Sequence, residues 1–350
     1  MKRALITGIT GQDGAYLAKF LLEKGYEVFG TYRRLSTPNF WRLQYLDVFD
    51  RVSLIPADLI DAASIGEALE ISRPQEIYHL AAQSFVGTSF EQPIGSGEIT
   101  ALGVTRILEE VRQFDPKIKF YQASTSELYG NGHKKPQDED TCFNPSSPYA
   151  ASKLYGYWIT KIYREGYGIF ASNGILFNHE SPLRGLEFVT RKISNAVAKI
   201  KLGLEKELRI GNLNAKRDWG YAPEYVESMW LILQQDRPDD FVIATGETHS
   251  VKEFIVEAFS RAGLKWEKYV KTDKALLRPL DVDTLCGDYS KAKKVLRWQP
   301  RIKFKELARI MVDEDINRWR RYLKGEHFPW DAATYPHENK ILSREYKRDR

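Results

Sequence analysis

The sequence predicts an α/β protein in which a doubly wound parallel sheet is joined to a smaller mixed α/β lobe. Short runs rich in β-branched and aromatic residues alternate with amphipathic segments through the first half of the chain. A glycine-rich turn directly follows the first of these runs, and the regular alternation weakens after position 177. Ligands of such sheets bind along the carboxyl edge of the strands, so residues that follow a strand are the first candidates for a site.

Composition and charge exclude several classes of protein. A hydrophobic fraction of 43% and a charged fraction of 28% over 350 residues are ordinary for a soluble globular protein. The 52 basic and 47 acidic residues are well mixed, which argues against a nucleic-acid-binding surface. Two cysteines provide neither a disulfide framework nor a metal-site spacing. With no signal peptide and no apolar run of about 20 residues, a cytoplasmic protein without a metal is expected.

The N-terminal stretch predicts a dinucleotide-binding turn of Rossmann type. Residues 3–7 form a short apolar run, and residues 15–24 form an amphipathic segment. The glycines between them, at positions 8, 11 and 14, allow a tight turn and a close approach to a pyrophosphate at a helix N-terminus. The cofactor-binding residues predicted here are Gly8, Thr10, Gly11, Gln12, Asp13 and Gly14.

The second predicted strand, residues 27–32, bears on the choice of cofactor. A carboxylate at its end would bind the ribose 2′-hydroxyl of NAD, whereas arginine accommodates the 2′-phosphate of NADP. Arg33 and Arg34 occupy that position, so the sequence favours NADP. Two solvated arginines at the end of a strand are the alternative interpretation.

Three further strands, predicted at 52–57, 76–80 and 118–123, continue the sheet, with helices at 62–71 and 106–114. The residues that follow the first two of these strands are expected at the ligand-binding edge. They are Asp58 and Leu59, and then Leu80, Ala81, Ala82 and Ser84. Asp58 is equally suited to capping a helix or forming a turn.

The stretch from residue 122 to 153 contains four candidate catalytic groups. Thr125 and Glu127 follow the fifth predicted strand. Tyr149 and Lys153 are four residues apart on a helix that ends near Glu165, so they share one face. An ammonium near a phenol lowers the pKa of the phenol, and Tyr149 could then act as a base near neutral pH. This chemistry suits an oxidoreductase, although a Tyr-x-x-x-Lys spacing also arises by chance on amphipathic helices.

After a strand predicted at 169–177, the remaining segments predict a lobe that completes a cleft with the sheet. Helices are predicted at 188–201, 223–234, 251–262 and 304–324, and short strands at 208–210 and 241–245. We expect a dinucleotide-binding domain over 1–177, to which later segments return, a substrate lobe over 178–340 and a charged tail over 341–350. Basic residues spaced through this lobe suit an anionic diphosphate, although each alone is more often a surface charge: Arg184, Lys192, Arg217 and Arg278.

Several long motifs resemble the extended short-chain dehydrogenase/reductase family and, within it, the sugar-nucleotide 4,6-dehydratases. The resemblance covers nearly the whole chain and implies tightly bound NADP, GDP-mannose as substrate and a GDP-4-keto-6-deoxy sugar as product. It also implies a homodimer or homotetramer. The motifs include TGITGQDGAYLAKFLLEKGYEV, LAAQSFVG, QASTSELYG, SPYAASKLYGYWIT, NGILFNHESP and GNLNAKRDWGYAPEYVESMWL.

The resemblance implies a role for each residue of the central stretch. Tyr149 would remove the proton of the sugar 4-hydroxyl, and Lys153 would hold the cofactor ribose. Glu127 would remove the 5-proton and assist the loss of the 6-hydroxyl as water. Thr125 would hydrogen-bond the 4-oxygen, and Ser126 stands where dTDP-glucose dehydratases carry Asp.

The resemblance extends to the binding residues. It implies cofactor contacts from Arg33, Arg34, Asp58, Leu59, His179 and Arg184, and contacts with the GDP-sugar from Asn178, Val189, Lys192, Arg217 and Arg278. Ser84 and Glu127 are also expected to contact substrate. The chain departs from the family pattern at Leu183, where an Arg often precedes Arg184, and at Leu280 and Asp281.

Two alternative functions stay open at this point. A nucleotide-sugar epimerase or a 4-keto reductase on the same fold needs the Tyr–Lys pair but not the Glu127 carboxylate. A non-catalytic NADP-binding module is the second alternative. Relatives of that kind usually lack the Tyr-x-x-x-Lys pair, which this chain keeps at Tyr149 and Lys153.

Overall fold

The computed structural model describes residues 1–36, 39–132, 136–277 and 280–326. The predicted substrate residue Arg278 and the predicted tail at 341–350 lie outside these ranges. The strands are β1 (Arg3–Thr7), β2 (Glu27–Tyr32), β3 (Ser53–Pro56), β4 (Glu76–His79), β5 (Lys119–Thr125), β6 (Ala171–Leu176), β7 (Asn178–Glu180), β8 (Leu208–Ile210), β9 (Lys216–Arg217), β10 (Trp219–Tyr221), β11 (Phe241–Ile243), β12 (His249–Ser250) and β13 (Val270–Thr272).

The α-helices alternate with these strands through the first half of the chain. Within the described residues they are α1 (Gln12–Glu23), α2 (Trp41–Tyr45), α3 (Ala62–Ser72), α4 (Val86–Glu91), α5 (Pro93–Gly97), α6 (Gly103–Phe114), α7 (Pro148–Tyr167), α8 (Val189–Lys201), α9 (Ala222–Leu233), α10 (Val251–Arg261), α11 (Ser290–Val295) and α12 (Phe304–Leu323). None of the helices in these ranges is long and apolar enough to cross a membrane.

The central sheet has seven parallel strands in the order β3-β2-β1-β4-β5-β6-β11. The direction of winding reverses between β1 and β4, and ligands of doubly wound sheets bind at such a switch point. The glycine turn follows β1, and Leu80 follows β4, so both lie at this point. The predicted fold class, an α/β protein with a doubly wound parallel sheet, is confirmed.

Helices cover both faces of the sheet, which explains why its strands are nearly continuous apolar runs. On one face α3 and α6 pack through Leu69 and Leu108 against Ile77 and Phe120. On the other face α1 and α9 form a second core, to which Met229 and Trp298 belong.

The segment between β4 and β6 differs most from the prediction. Helix α5, a π-helical stretch over Glu98–Leu102 and α6 follow one another without a break, whereas the sequence predicted a helix only over 106–114. Gly95, Gly97 and Gly103 give this stretch weak helix propensity, so packing against α7 rather than local preference stabilises it.

The second lobe is built from α8, α10 and α12. Their apolar faces meet in a separate core that includes Val197, Phe254, Phe259 and Met311. The chain does not stay in this lobe, because β11 joins the edge of the central sheet beside β6. Residues 292–298 also return to the sheet and pack with α9.

Candidate active site

The glycine turn between β1 and α1 requires its glycines. Gly8 has a φ of +71°, and a Cβ on it would lie 2.9 Å from the Cα atom of Ala81. A Cβ on Gly14 would lie 2.5 Å from the main-chain oxygen of Gly8. No side chain caps α1 at Gly11, so the N–H groups of its first turn are available to an anion.

A buried hydrogen-bond relay fixes the turn after β4 against β1. The Thr7 hydroxyl accepts from the N–H groups of Leu80 and Ala81, at 3.2 Å each, and donates to Nδ1 of His79 at 2.7 Å. Burial lowers the pKa of His79 to about 3, with a contribution from the nearby Lys153 charge, so the imidazole is a neutral acceptor. Sequence analysis did not select His79, although it ends a buried apolar run.

A cavity of about 220 Å³ lies at the end of β2. Both predicted cofactor arginines line it with exposed side chains, and Thr10 of the glycine turn lines it as well. Two guanidinium groups in this position suit an anionic group. The lining residues are Thr10, Tyr32, Arg33, Arg34, Leu35, Asn39 and Phe40.

Asp58 and Leu59 form the corresponding turn after β3. The Asp58 carboxylate accepts from the Ile60 N–H at 3.2 Å, which is a turn-forming role. Asp61, not Asp58, caps α3 by accepting from the Ala63 N–H at 3.1 Å. Leu59 is buried, while Ser84, in the loop after β4, is exposed.

Helix α7 delivers Tyr149 and Lys153 to the carboxyl edge of the sheet. It begins with Pro148 at its first position and is capped by the Ser147 hydroxyl, which accepts from the Ala150 N–H at 3.0 Å. Both side chains are buried, and the Lys153 ammonium donates to the main-chain oxygen of Ala123 at 2.6 Å.

The predicted lowering of the Tyr149 pKa by Lys153 is wrong for this structure. Burial raises the pKa of Tyr149 to about 12, although a hydrogen bond with Thr125 acts in the opposite direction. Burial also lowers the pKa of Lys153 to about 8, and its ammonium points to Ala123. The spacing of the two residues correctly predicted a shared face, but desolvation is the main cause of the Tyr149 pKa shift, and the Lys153 charge is not among its main causes.

Thr125 and Glu127 lie close enough to the Tyr149 phenol to affect its pKa, and Ser126 lies between them in the chain. Strand β5 ends at Thr125, whose hydroxyl accepts from the Glu127 N–H at 3.2 Å and so begins a 3₁₀ turn over Ser126–Tyr129. Ser126 and Glu127 are both buried. The Glu127 charge raises the pKa of Tyr149 further, which is a consequence of their proximity.

The segment after β6 closes over the glycine turn. Nε2 of His179 lies 2.7 Å from Asp13, and its Nδ1 lies 2.7 Å from the main-chain oxygen of Phe177. Burial opposes the protonation of His179, but the Asp13 carboxylate outweighs it, so the pKa of His179 is raised. The pKa of Asp13 is lowered by His179 against the effect of burial. A hydrogen bond from Gln12 to the His179 main-chain oxygen, 3.1 Å long, adds a second link.

Arg184 is held by residues that the sequence did not single out. Its Nε atom lies 3.2 Å from Glu180, a buried residue of β7 that also accepts from the Thr190 hydroxyl at 2.6 Å. The guanidinium carbon lies 3.6 Å from the centre of the Phe188 ring. The Arg184 charge acts to lower the pKa of Tyr149.

The predicted substrate residues fall into two groups. Asn178, Val189 and Lys192 lie together on β7 and the start of α8. Burial lowers the pKa of the Lys192 ammonium, which makes no ion pair with any part of the chain that the structure describes. Arg217 is buried on β9, where it pairs with Asp281 at 3.1 Å and donates to the Val282 main-chain oxygen at 2.6 Å.

Comparisons with known proteins point to one family. The family model described as GDP-mannose 4,6 dehydratase matches residues 5–311. GDP-mannose 4,6 dehydratase 1 of Arabidopsis thaliana is 51% identical over 330 residues, which cover 91% of each chain. The human GDP-mannose 4,6 dehydratase is 49% identical, with 91% of this chain and 92% of the human protein covered.

Among solved structures, the UDP-glucose 4-epimerase of Thermus thermophilus in complex with NAD superimposes with a TM-score of 0.79. It is 26% identical, and the match covers 89% of this chain and 98% of the epimerase.

Proposed function

Since the chain belongs to the GDP-mannose 4,6-dehydratase family and is an enzyme, we propose that it converts GDP-mannose to GDP-4-dehydro-6-deoxy-mannose and water. The observation that carries this proposal is the buried Glu127 carboxylate beside Tyr149 at the end of β5. An epimerase or a reductase needs the Tyr–Lys pair but no such carboxylate, whereas a dehydratase also needs a base for the sugar 5-proton.

The enzyme uses a nicotinamide cofactor, and we propose that this cofactor is NADP. The support is the cavity lined by Arg33 and Arg34, together with the absence of a carboxylate at the end of β2. When bound, NADP would take a hydride from carbon 4 of the sugar and later return it to carbon 6. The residues proposed to hold it are Gly8, Thr10, Gly11, Gln12, Asp13, Gly14, Arg33, Arg34, Asp58, Leu59, Leu80, Ala81, Ala82, Ser84, Tyr149, Lys153, His179 and Arg184.

In this proposal Tyr149 is the base that removes the proton of the sugar 4-hydroxyl. Burial is the main cause that raises the pKa of the phenol to about 12, and this value already includes the lowering effects of the Thr125 hydroxyl and the Arg184 guanidinium. Proton removal near neutral pH therefore needs positive charge beyond these two groups. Thr125 also hydrogen-bonds the 4-oxygen as negative charge develops there.

Glu127 performs the elimination in this proposal. Once carbon 4 is a ketone, the neighbouring 5-proton is acidic and Glu127 removes it. The bond between carbon 6 and its hydroxyl oxygen then breaks, and the proton passes to this oxygen so that water leaves. Ser126, buried next to Glu127, offers a hydroxyl along this route.

The substrate is proposed to lie between the sheet edge and the second lobe. Lys192, whose half-buried side chain makes no ion pair with a carboxylate among the described residues, is suited to the diphosphate. Asn178, Val189, Arg217 and Arg278 complete the proposed GDP-sugar site, together with Ser84 and Glu127. We further propose a homodimer or homotetramer in the cytoplasm, which light scattering of the purified protein and cell fractionation would test.

The test of the reaction is incubation of the purified protein with GDP-mannose, without added cofactor, followed by mass spectrometry of the product. A product lighter by one water is the expected result. An unchanged mass with an altered sugar configuration would indicate an epimerase instead. No change with GDP-, UDP-, CDP- and dTDP-sugars would favour a non-catalytic binding protein.

A further inference from the structure

The loop that carries Arg184 is held by side chains from outside the site. Nη1 of Arg191 on α8 donates to the main-chain oxygens of both Pro182 and Arg184, at 2.9 Å each. Nη1 of Arg318 on α12 also donates to the Pro182 oxygen, at 2.6 Å. The main chain on either side of Leu183 is therefore anchored to two helices of the second lobe.

A single buried carboxylate orients these arginines. Asp315 of α12 has no solvent exposure, and both of its oxygens lie 3.0 Å from Nε of Arg191. It also accepts from the Ser194 hydroxyl at 2.6 Å and from Nη1 of Arg318 at 3.3 Å. Because a planar guanidinium is fixed by such contacts, Asp315 determines where the Arg191 Nη1 atom points.

This network fixes the main chain of Arg184 rather than its guanidinium. Glu180 and Phe188 hold the Arg184 side chain, while Arg191 holds its main-chain oxygen. A fully buried ion pair adds little net stability, since the cost of desolvation offsets the attraction. The main effect of the pair is therefore to fix the direction of the Arg191 hydrogen bonds to the loop, rather than to stabilise the fold.

We propose that Arg191, oriented by Asp315, is a positioning residue that sets the main chain at Pro182 and Arg184 so that the Arg184 guanidinium reaches the cofactor and the Tyr149 phenol. The inference rests on the proposed function, because it assigns Arg184 to that reaction. Arg191 itself touches neither the substrate nor the cofactor in this proposal.

The substitution Arg191→Lys tests the inference, because lysine keeps the charge opposite Asp315 but has no second nitrogen to donate to the two carbonyl oxygens at the same time. The matched control is Arg164→Lys. Arg164 makes a partly buried bidentate pair with Asp240, at 2.9 and 2.8 Å, and donates to the Ala171 main-chain oxygen at 3.1 Å. Ala171 begins β6 and Asp240 directly precedes β11, so this pair lies at the amino edge of the sheet, opposite the site.

Two quantities are measured for each folded variant, namely the dissociation constant of added NADP and kcat/KM for GDP-mannose. We expect Arg191→Lys to weaken NADP binding and to lower kcat/KM, each by about 10-fold to 100-fold, since small misplacements in a site have effects of this size. Arg164→Lys should leave both within about 2-fold while lowering the unfolding temperature. Asp315→Asn, which keeps the shape of the side chain but not its charge, should reproduce the Arg191→Lys result.

Unchanged NADP binding and kcat/KM in folded Arg191→Lys protein would overturn the inference. Equal losses in Arg191→Lys and Arg164→Lys, in proportion to their loss of stability, would also overturn it, because both pairs would then be merely structural. If the wild-type protein does not dehydrate GDP-mannose but Arg191→Lys still weakens NADP binding selectively, the proposed function fails and the positioning inference stands.

Discussion

Nε2 of His179 lies 2.7 Å from Oδ2 of Asp13, although the two residues are 166 positions apart in the chain. The contact ties the glycine turn after β1 to the segment after β6. Since His179 Nδ1 also meets the Phe177 main-chain oxygen at 2.7 Å, both ring nitrogens act as donors in the charged imidazolium.

Asp13→Asn should lower the pKa of His179, because the carboxylate is what raises it against burial. A raised pKa means that the pair contributes stability fully present below the unfolded histidine pKa, about 6.5, and lost as pH rises through the folded value. For Asp13, whose pKa is lowered, the contribution disappears as pH falls through that lowered value. An NMR titration of the imidazole checks this, with the His249 signal from the second lobe as internal control. If the pKa of His179 is unchanged in the Asp13→Asn variant, the Asp13 carboxylate is not the cause of the raised pKa.

Lys153→Met should change the pH dependence of stability. Burial lowers the pKa of Lys153 from 10.5 to about 8, so the unfolded chain binds more protons than the folded one between these values. The stability of the wild type therefore rises with pH in this window, by about 3 kcal/mol for this group. Denaturant unfolding of both proteins between pH 8 and 10.5 should show that the free energy of unfolding of the wild type rises relative to that of the variant as pH rises. If the free energies of unfolding of the two proteins change in parallel with pH, the lowered pKa of Lys153 is contradicted.

Glu127→Gln should separate the two halves of the reaction. The variant keeps the shape of the side chain but has no base for the 5-proton, so dehydration should fall by about 10²-fold to 10⁴-fold. Oxidation at carbon 4 should persist and be visible as transient reduced nicotinamide absorbance after mixing with GDP-mannose. Tyr149→Phe, which blocks the earlier proton transfer, should lose that transient as well. Full dehydration by Glu127→Gln would remove Glu127 from the mechanism.

Replacement of both Arg33 and Arg34 by Ala should weaken NADP binding selectively. Loss of charged hydrogen bonds to the 2′-phosphate predicts a penalty of about 1.5 to 3 kcal/mol, while NAD binding should change by less than about 0.5 kcal/mol. Calorimetric titration with each dinucleotide provides the comparison, and Arg112→Ala, an exposed arginine at the far end of α6, is the control. Equal weakening of NADP binding and NAD binding would show that Arg33 and Arg34 do not bind the 2′-phosphate.

Gly14→Ala and Gly166→Ala should have opposite effects. A Cβ on Gly14 would lie 2.5 Å from the Gly8 main-chain oxygen, whereas a Cβ on Gly166, within α7, meets no atom within 4 Å. We expect Gly14→Ala to lose cofactor binding and stability. Gly166→Ala should raise the free energy of unfolding by about 0.5 to 1 kcal/mol, because alanine favours a helix. Thermal unfolding and NADP titration of both variants give the answer, and tolerance of Gly14→Ala would contradict the close approach.

Local patterns predicted the sheet well because its strands are buried on both faces. The bounds of β1 and β2 agree with the prediction residue for residue, since each is a short, mostly apolar run directly followed by a glycine or an arginine. Short elements such as α4 and α5 were not predicted, because tertiary packing stabilises them against weak propensity.

The site was harder to predict where it depends on contacts between distant segments. Spacing indicated that Tyr149 and Lys153 share a helix face, but it contained no information on desolvation, which decides the Tyr149 pKa. Glu180 and Asp315 have charged side chains whose burial follows only from the packing of the second lobe. No periodicity in the sequence distinguishes them from solvated carboxylates.

The repeated crossing of the chain between sheet and second lobe limits how the cleft can move. The polypeptide leaves the sheet after β6, returns with α9 and β11, departs with α10, and comes back once more at residues 292–298 before α12. A hinge needs a few connecting residues that absorb a large rotation together. Several parallel connections resist such a rotation, so closure on a nucleotide would proceed by small sliding movements of packed helices. For the same reason, a single proteolytic nick in one connection would leave the two lobes associated.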